Sequence, residues 1–86
     1  MQISFSNKFK KQYKKLPSYI KDKFDEKLLI FSKDKNDPVL NNHKLHGKFK
    51  NFRSIDITGD IRAVYEEINR NSVYFVSVGS HSKLYS

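Results

Sequence analysis

His43, His46, Asp60, Arg62 and His81 are the side chains of this sequence whose types and spacing could do chemistry. His43 and His46 fall in the run N-H-K-L-H-G-K-F-K-N-F-R (Asn42–Arg53), and His81 falls in V-G-S-H-S-K-L-Y (Val78–Tyr85). Between them, S-I-D-I-T-G-D-I-R-A-V-Y (Ser54–Tyr65) carries Asp60 and Arg62. Two histidine-bearing loops thus bracket a strand pair. Histidine, aspartate, arginine and tyrosine beside a basic surface are what metal-free cleavage of a phosphodiester would use. An unshifted imidazole titrates near pH ~6.5, so it suits proton transfer at neutrality. Arg62 would neutralise charge growing on phosphorus, and Asp60 would orient a histidine or act as a base.

Each of these groups also has a plainer reading. Asp60 and Arg62, two apart, share one sheet face if both belong to a strand; they then form a surface ion pair, or Asp60 merely serves the turn. His43 and His46, spaced i, i+3, could join His81 in a three-histidine metal centre. Neither a cysteine nor a carboxylate cluster supports that centre. A general acid or base at one or two of the three histidines, or simple exposure in loops, stays open. Lys48, Lys50 and Arg53 alternate with Phe49 and Phe52, the mixture that backbone contact plus base stacking on single-stranded RNA requires. Alternatively, the two phenylalanines belong to the core and the lysines point outward. Tyr85 is either a loose tail or a terminal clamp.

The rest of the chain must position these groups. With 86 residues it is read as one domain, 1–86, whose core is barely large enough to fold without staples. The absence of cysteine and of any apolar run of membrane length, with a polar start Met1-Gln2-Ile3-Ser4, points to a cytoplasmic protein without a membrane partner. The net charge is +8, and the excess lies in the N-terminal half: residues 1–33 carry nine lysines against three acids. From Arg53 onward basic and acidic residues balance. Such a field suits a polyanion, either nucleic acid or an acidic protein, although a lysine-rich solvated helix would carry it too.

Alternation of Met1, Ile3 and Phe5 predicts a first strand. Ser6 or Asn7 is placed to cap a helix bearing Phe9, Tyr13 and Leu16. Pro17 ends that helix and opens a second, which buries Ile20, Phe24, Leu28 and Phe31. Asp34–Asn42 reads as a polar connector. Strands follow at about Phe52–Thr58, Ile61–Ile68 and Val73–Gly79, joined by turns where Gly59 could supply a positive φ and Asn69 or Asn71 could adopt the left-handed region. The result is an α+β fold: an N-terminal strand, an antiparallel helical hairpin, then a three-stranded antiparallel meander with the helices on one sheet face.

Taken together, H-x-L-x-G (His43–Gly47), F-R-S (Phe52–Ser54), T-G-D-x-R-x-x-Y (Thr58–Tyr65) and G-S-H-S-x-L-Y (Gly79–Tyr85) resemble the RelE/ParE superfamily of bacterial toxins, closest to its YafQ-like and RelE-like messenger-RNA interferases. The likeness spans almost the whole chain, including the Leu16-Pro17 joint between the helices. It implies a type II toxin that enters the ribosomal A site and cuts messenger RNA with neither metal nor cofactor. The 2′-hydroxyl would attack phosphorus, leaving a 2′,3′-cyclic phosphate and a 5′-hydroxyl. By the same resemblance His43, Asp60 and His81 are catalytic, with His81 the general acid. Arg62 stabilises the phosphate, Tyr85 is the terminal aromatic, and His46, Lys48, Lys50 and Arg53 hold RNA. The implied partner is an acidic antitoxin with a segment that orders on binding.

Two positions depart from the YafQ-like pattern. Asp56 stands where those sequences often have a histidine, and Ile61 where they often have an aromatic residue. A carboxylate with an ordinary pKa near ~3.9 is a weaker base than imidazole at neutral pH. Asp56 is therefore either a poorer catalytic base or a sign that the roles are divided as in RelE. The chain ends at Ser86, which leaves no room for a C-terminal helix. Two other functions share this fold: a ParE-like toxin that binds DNA gyrase without cutting RNA, and a decayed basic RNA-binding domain.

Overall fold

The computed structural model describes residues 1–85, with side chains through Leu84. The sequence folds as β1 (Gln2–Phe5), α1 (Asn7–Lys14), α2 (Ser18–Lys33), β2 (His43–Lys44), β3 (Phe52–Asp56), β4 (Ile61–Asn69), β5 (Ser72–Ser80) and α3 (His81–Tyr85). The strands form one sheet in the order β1-β5-β4-β3-β2. β1 runs parallel to β5, while the other neighbours are antiparallel. The expected strand–hairpin–meander is present, with the two-residue β2 added at the far edge.

Local chemistry explains the helix boundaries. Ser6 caps α1, its Oγ accepting from Phe9 N at 2.9 Å, and the hydroxyl donates in turn to Val76 O at 2.9 Å. Ser6→Ala removes both bonds, and a thermal melt should show a loss of about 1–2 kcal/mol. Pro17, with φ −59°, stops α1 and starts α2. Phe9 from α1 and Phe24 and Phe31 from α2 then meet the sheet around Phe75. The rings of Phe5, Phe9, Phe24, Phe31 and Tyr65 have centroids 5.3–6.1 Å from that of Phe75. Aromatic rings at this spacing attract beyond their area of burial, which anchors both helices to one sheet face.

Several expectations are corrected. Gly59 does not take a positive φ, nor do Asn69 and Asn71; the left-handed positions among the described residues are Asn41 (φ 46°) and Gly47 (φ 66°). The Thr58 hydroxyl holds the β3–β4 turn instead, accepting from Asp60 N and Ile61 N at 3.3 and 3.0 Å. The connector after α2 is not only polar. It makes a 3₁₀ turn at Pro38–Leu40 that delivers Leu40 into the core, fully buried. A C-terminal helix does form: α3 takes the last described turn, where Ser80 Oγ accepts from Lys83 N at 3.3 Å. No helix among the described residues is long and apolar enough to cross a membrane.

Asn42 ties the connector to the sheet. Its amide donates to Tyr65 Oη at 2.7 Å and to Lys35 O at 2.9 Å, and its Oδ1 accepts from Arg53 Nε at 2.8 Å. Burial raises the Tyr65 phenol above its ordinary value of 10.0, partly opposed by the Asn42 bond. The folded state therefore holds that proton more tightly than the unfolded chain does. The neutral phenol's contribution to stability is complete below pH 10.0 and is lost as pH rises through the folded value. Denaturant titrations should show stability falling above that pH, with the slope reduced in Tyr65→Phe.

Candidate active site

The face of the sheet away from α2 is only partly covered, with Val64 and Ser77 buried on it. A groove of ≈ 870 Å³ runs along it, floored by Val64, Val76 and Ser77 and bordered by Phe49, Phe52 and Leu84. Lys8 of α1, Lys15 just beyond its end and Lys83 of α3 line it as well. The register shift opposite Val64 and Tyr65 leaves Val76 unpaired on β5, a bulge that brings both Val76 and Ser77 to the groove. Phe49 and Phe52 are thus half-buried groove residues and not members of the core, contrary to the plainer sequence reading. Lys48 Nζ lies 5.3 Å from the Phe49 ring centroid, a basic and an aromatic group side by side.

The three histidines converge. His43 on β2, His46 before a 3₁₀ turn at Gly47–Phe49, and His81 at the start of α3 line one cavity of ≈ 180 Å³ with Leu45 and Phe49. His43 reaches it because β2 pairs with β3, His43 opposite Ser54. Its Nδ1 lies 2.8 Å from Asn41 O. A carbonyl only accepts, so this partner assigns the ring proton to Nδ1 and leaves the Nε2 lone pair available. His81 is placed by its own backbone, since His81 N donates to Asp60 O at 3.1 Å. Among the described residues no three His, Cys, Asp or Glu side chains are arranged to hold a metal ion.

Asp60 and Arg62 do not form the same-face strand pair that their spacing suggested. Asp60 belongs to the turn, exposed, ahead of the first residue of β4. Arg62 pairs with Asp56 across β3 and β4 instead, Nε to Oδ1 at 2.9 Å. Its Nη1 donates to Thr58 O and Gly59 O at 3.1 and 3.0 Å. That clamp fixes the guanidinium and leaves Nη2 without a hydrogen bond among the described residues. Asp56 Oδ1 is buried and lacks a well-aligned donor even though Arg62 Nε is near, so the contact is a charge pair more than a hydrogen bond. Asp56 Oδ2 accepts from Asn41 Nδ2 at 3.2 Å.

Lys44, Lys50 and Arg53 line a further hollow of ≈ 260 Å³ with Asn51, Phe52 and Glu67. Arg53 spends its Nε on Asn42 and so helps build the connector as well as line that hollow. Tyr85 belongs to α3, but its side chain lies outside the described residues. The sequence reading gave Asn41 and Asn42 no role. Asparagine's tolerance of the left-handed region, at Asn41 two residues before His43, was the available signal.

This five-stranded sheet with its packed helices closely matches the fold of RelE-like toxins of type II toxin–antitoxin systems. A metal-bound toxin from Helicobacter pylori is 27% identical, with 99% of each chain covered and a TM-score of 0.71. YafQ from E. coli strain BL21(DE3) is 22% identical, covering 99% of this chain and 98% of its own, with a TM-score of 0.75. The E. coli DinJ–YafQ complex gives 24% identity over 99% of this chain and 98% of the other, with a TM-score of 0.72. No curated protein sequence matches. The family model described as "Bacterial toxin of type II toxin-antitoxin system, YafQ" matches residues 1–86, and the chain belongs to that family.

Proposed function

We propose that this toxin is an endoribonuclease that cuts messenger RNA in the ribosomal A site. The observation that carries the reading is the shared cavity of His43 and His81, with His43 held in the tautomer that leaves Nε2 free. His43 takes the proton of the 2′-hydroxyl as its oxygen bonds to phosphorus. Arg62, its Nε and Nη1 held by Asp56 and two carbonyls, offers Nη2 to the charge growing on the phosphoryl oxygens once RNA spans from the histidine cavity to it. The bond from phosphorus to the 5′-oxygen breaks, and imidazolium His81 donates the proton that oxygen needs. The products are a 2′,3′-cyclic phosphate and a 5′-hydroxyl.

Asp56 acts here as the anchor of Arg62, and Asp60, joined to His81 through the backbone, orients the general acid. The groove and the lysines at its rim hold the RNA strand, with Phe49 and Phe52 at its border as the aromatic groups nearest the bases. The partner outside the ribosome is an antitoxin, as DinJ is for E. coli YafQ, and its acidic segment answers the +8 charge of this chain. The site of action is then the cytoplasm.

The test is purified toxin added to ribosomes programmed with a defined message. New 5′-hydroxyl and cyclic-phosphate ends within translated codons are the expected result. Growth arrest in cells without such ends, accompanied by gyrase inhibition, would replace this reading with the gyrase-binding one.

A further inference from the structure

We propose that Asn41 is a positioning residue for His43; its catalytic consequence rests on the nuclease reading above. Asn41 stands between the two halves of the site. Its carbonyl accepts from His43 Nδ1 at 2.8 Å, and its side-chain amide donates to Asp56 Oδ2 at 3.2 Å. Asp56 pairs in turn with Arg62 at 2.9 Å. His43, Asn41, Asp56 and Arg62 therefore form one connected chain, in which a single residue touches both the base and the anchor of the phosphate-binding arginine.

The backbone at Asn41 makes this contact possible. With φ 46° and ψ 48° it lies in the left-handed region, among the described residues the only non-glycine there. That conformation turns the chain sharply after Leu40, whose side chain is locked in the core, and sends the Asn41 carbonyl back toward the ring two residues on. Asparagine and glycine adopt it readily, whereas a β-branched residue does not. A simpler role is also available, because Asn41 N donates to Pro38 O at 3.1 Å and so closes the 3₁₀ turn. The two roles make different predictions for the imidazole of His43, because turn closure alone gives no reason for its proton to sit on Nδ1.

Ring-nitrogen NMR on ¹⁵N-labelled protein separates them, comparing wild type with Asn41→Gly and Asn41→Val. In the neutral ring, wild type and Asn41→Gly should carry the proton on Nδ1, and Asn41→Val should show both tautomers. Cleavage should fall about threefold in Asn41→Gly, which loses only the amide to Asp56, and about tenfold or more in Asn41→Val. A wild-type His43 protonated on Nε2 would overturn the proposal, as would an Asn41→Val protein with the wild-type tautomer and rate. The ring signals of wild type and Asn41→Gly decide the matter even if Asn41→Val does not fold. Because they are read without RNA, they do so whether or not the chain cuts.

Discussion

Replacing His81 by alanine is expected to slow cleavage by about 10²–10⁴-fold while leaving the fold intact. The ring is exposed at the start of α3, so its removal opens no buried void, and melting should shift by no more than about 0.5 kcal/mol. His43→Ala should cost a similar factor, because in the proposed reaction the base and the acid serve the same displacement from one cavity. For that reason the double variant should be scarcely worse than either single one. Single-turnover cleavage on programmed ribosomes, with melts run in parallel, measures all three. Multiplying losses would mean that the two histidines act in separate steps. Unchanged rates would remove them from the chemistry and leave the toxin to act by binding.

Most of the framework was readable from the sequence because it rests on local and periodic signals. The spacing of Phe9 and Tyr13, of Ile20, Phe24 and Phe31, and the Pro17 joint specify the hairpin, and the structure places the first five in or against the core as expected. Strand limits fell within a few residues for the same reason. What could not be read depends on contacts between distant segments. β2 is two residues long and exists because His43 and Lys44 find Ser54 and Arg53. Leu40 looks like one apolar residue in a polar stretch until the sheet provides its pocket.

The candidate site shows the same division. Residue types made His43, His81 and Arg62 candidates, but which groups each one meets followed from topology. Spacing two apart left two readings for Asp60, a partner for Arg62 or a residue of the turn. Cross-strand register gave Arg62 to Asp56 instead, because the strand starts at Ile61 and Asp60 is left in the turn. The same register gives Asp56 a partner in Arg62, at the position where the resemblance led one to expect a histidine. A carboxylate at that position cannot match an imidazole as a neutral-pH base, but it can hold a guanidinium.

Arg62→Ala should therefore produce two separable effects. Cleavage should fall about 10²–10³-fold, the cost of removing a charge aimed at a developing oxyanion. Stability should fall as well, because Asp56 Oδ1 stays buried with its charge uncompensated. Breaking a fully buried pair costs about 3–5 kcal/mol. With side chains still 19% and 24% exposed for Arg62 and Asp56, water relieves part of that, and a loss of about 1–3 kcal/mol is expected. Asp56→Asn keeps the shape but removes the charge; because Arg62 still has the Thr58 and Gly59 carbonyls as acceptors, this variant should lose less stability than Arg62→Ala while leaving Arg62 less firmly held. Its cleavage rate should then lie between wild type and Arg62→Ala. Arg62→Lys supplies a charge without the planar fork that reaches both Asp56 and the carbonyls of Thr58 and Gly59. If the arginine acts through its fixed geometry, the lysine variant will bind RNA like wild type and cut about tenfold or more slowly. If it merely supplies charge, Arg62→Lys will cut at the wild-type rate, and the clamp will have served stability alone.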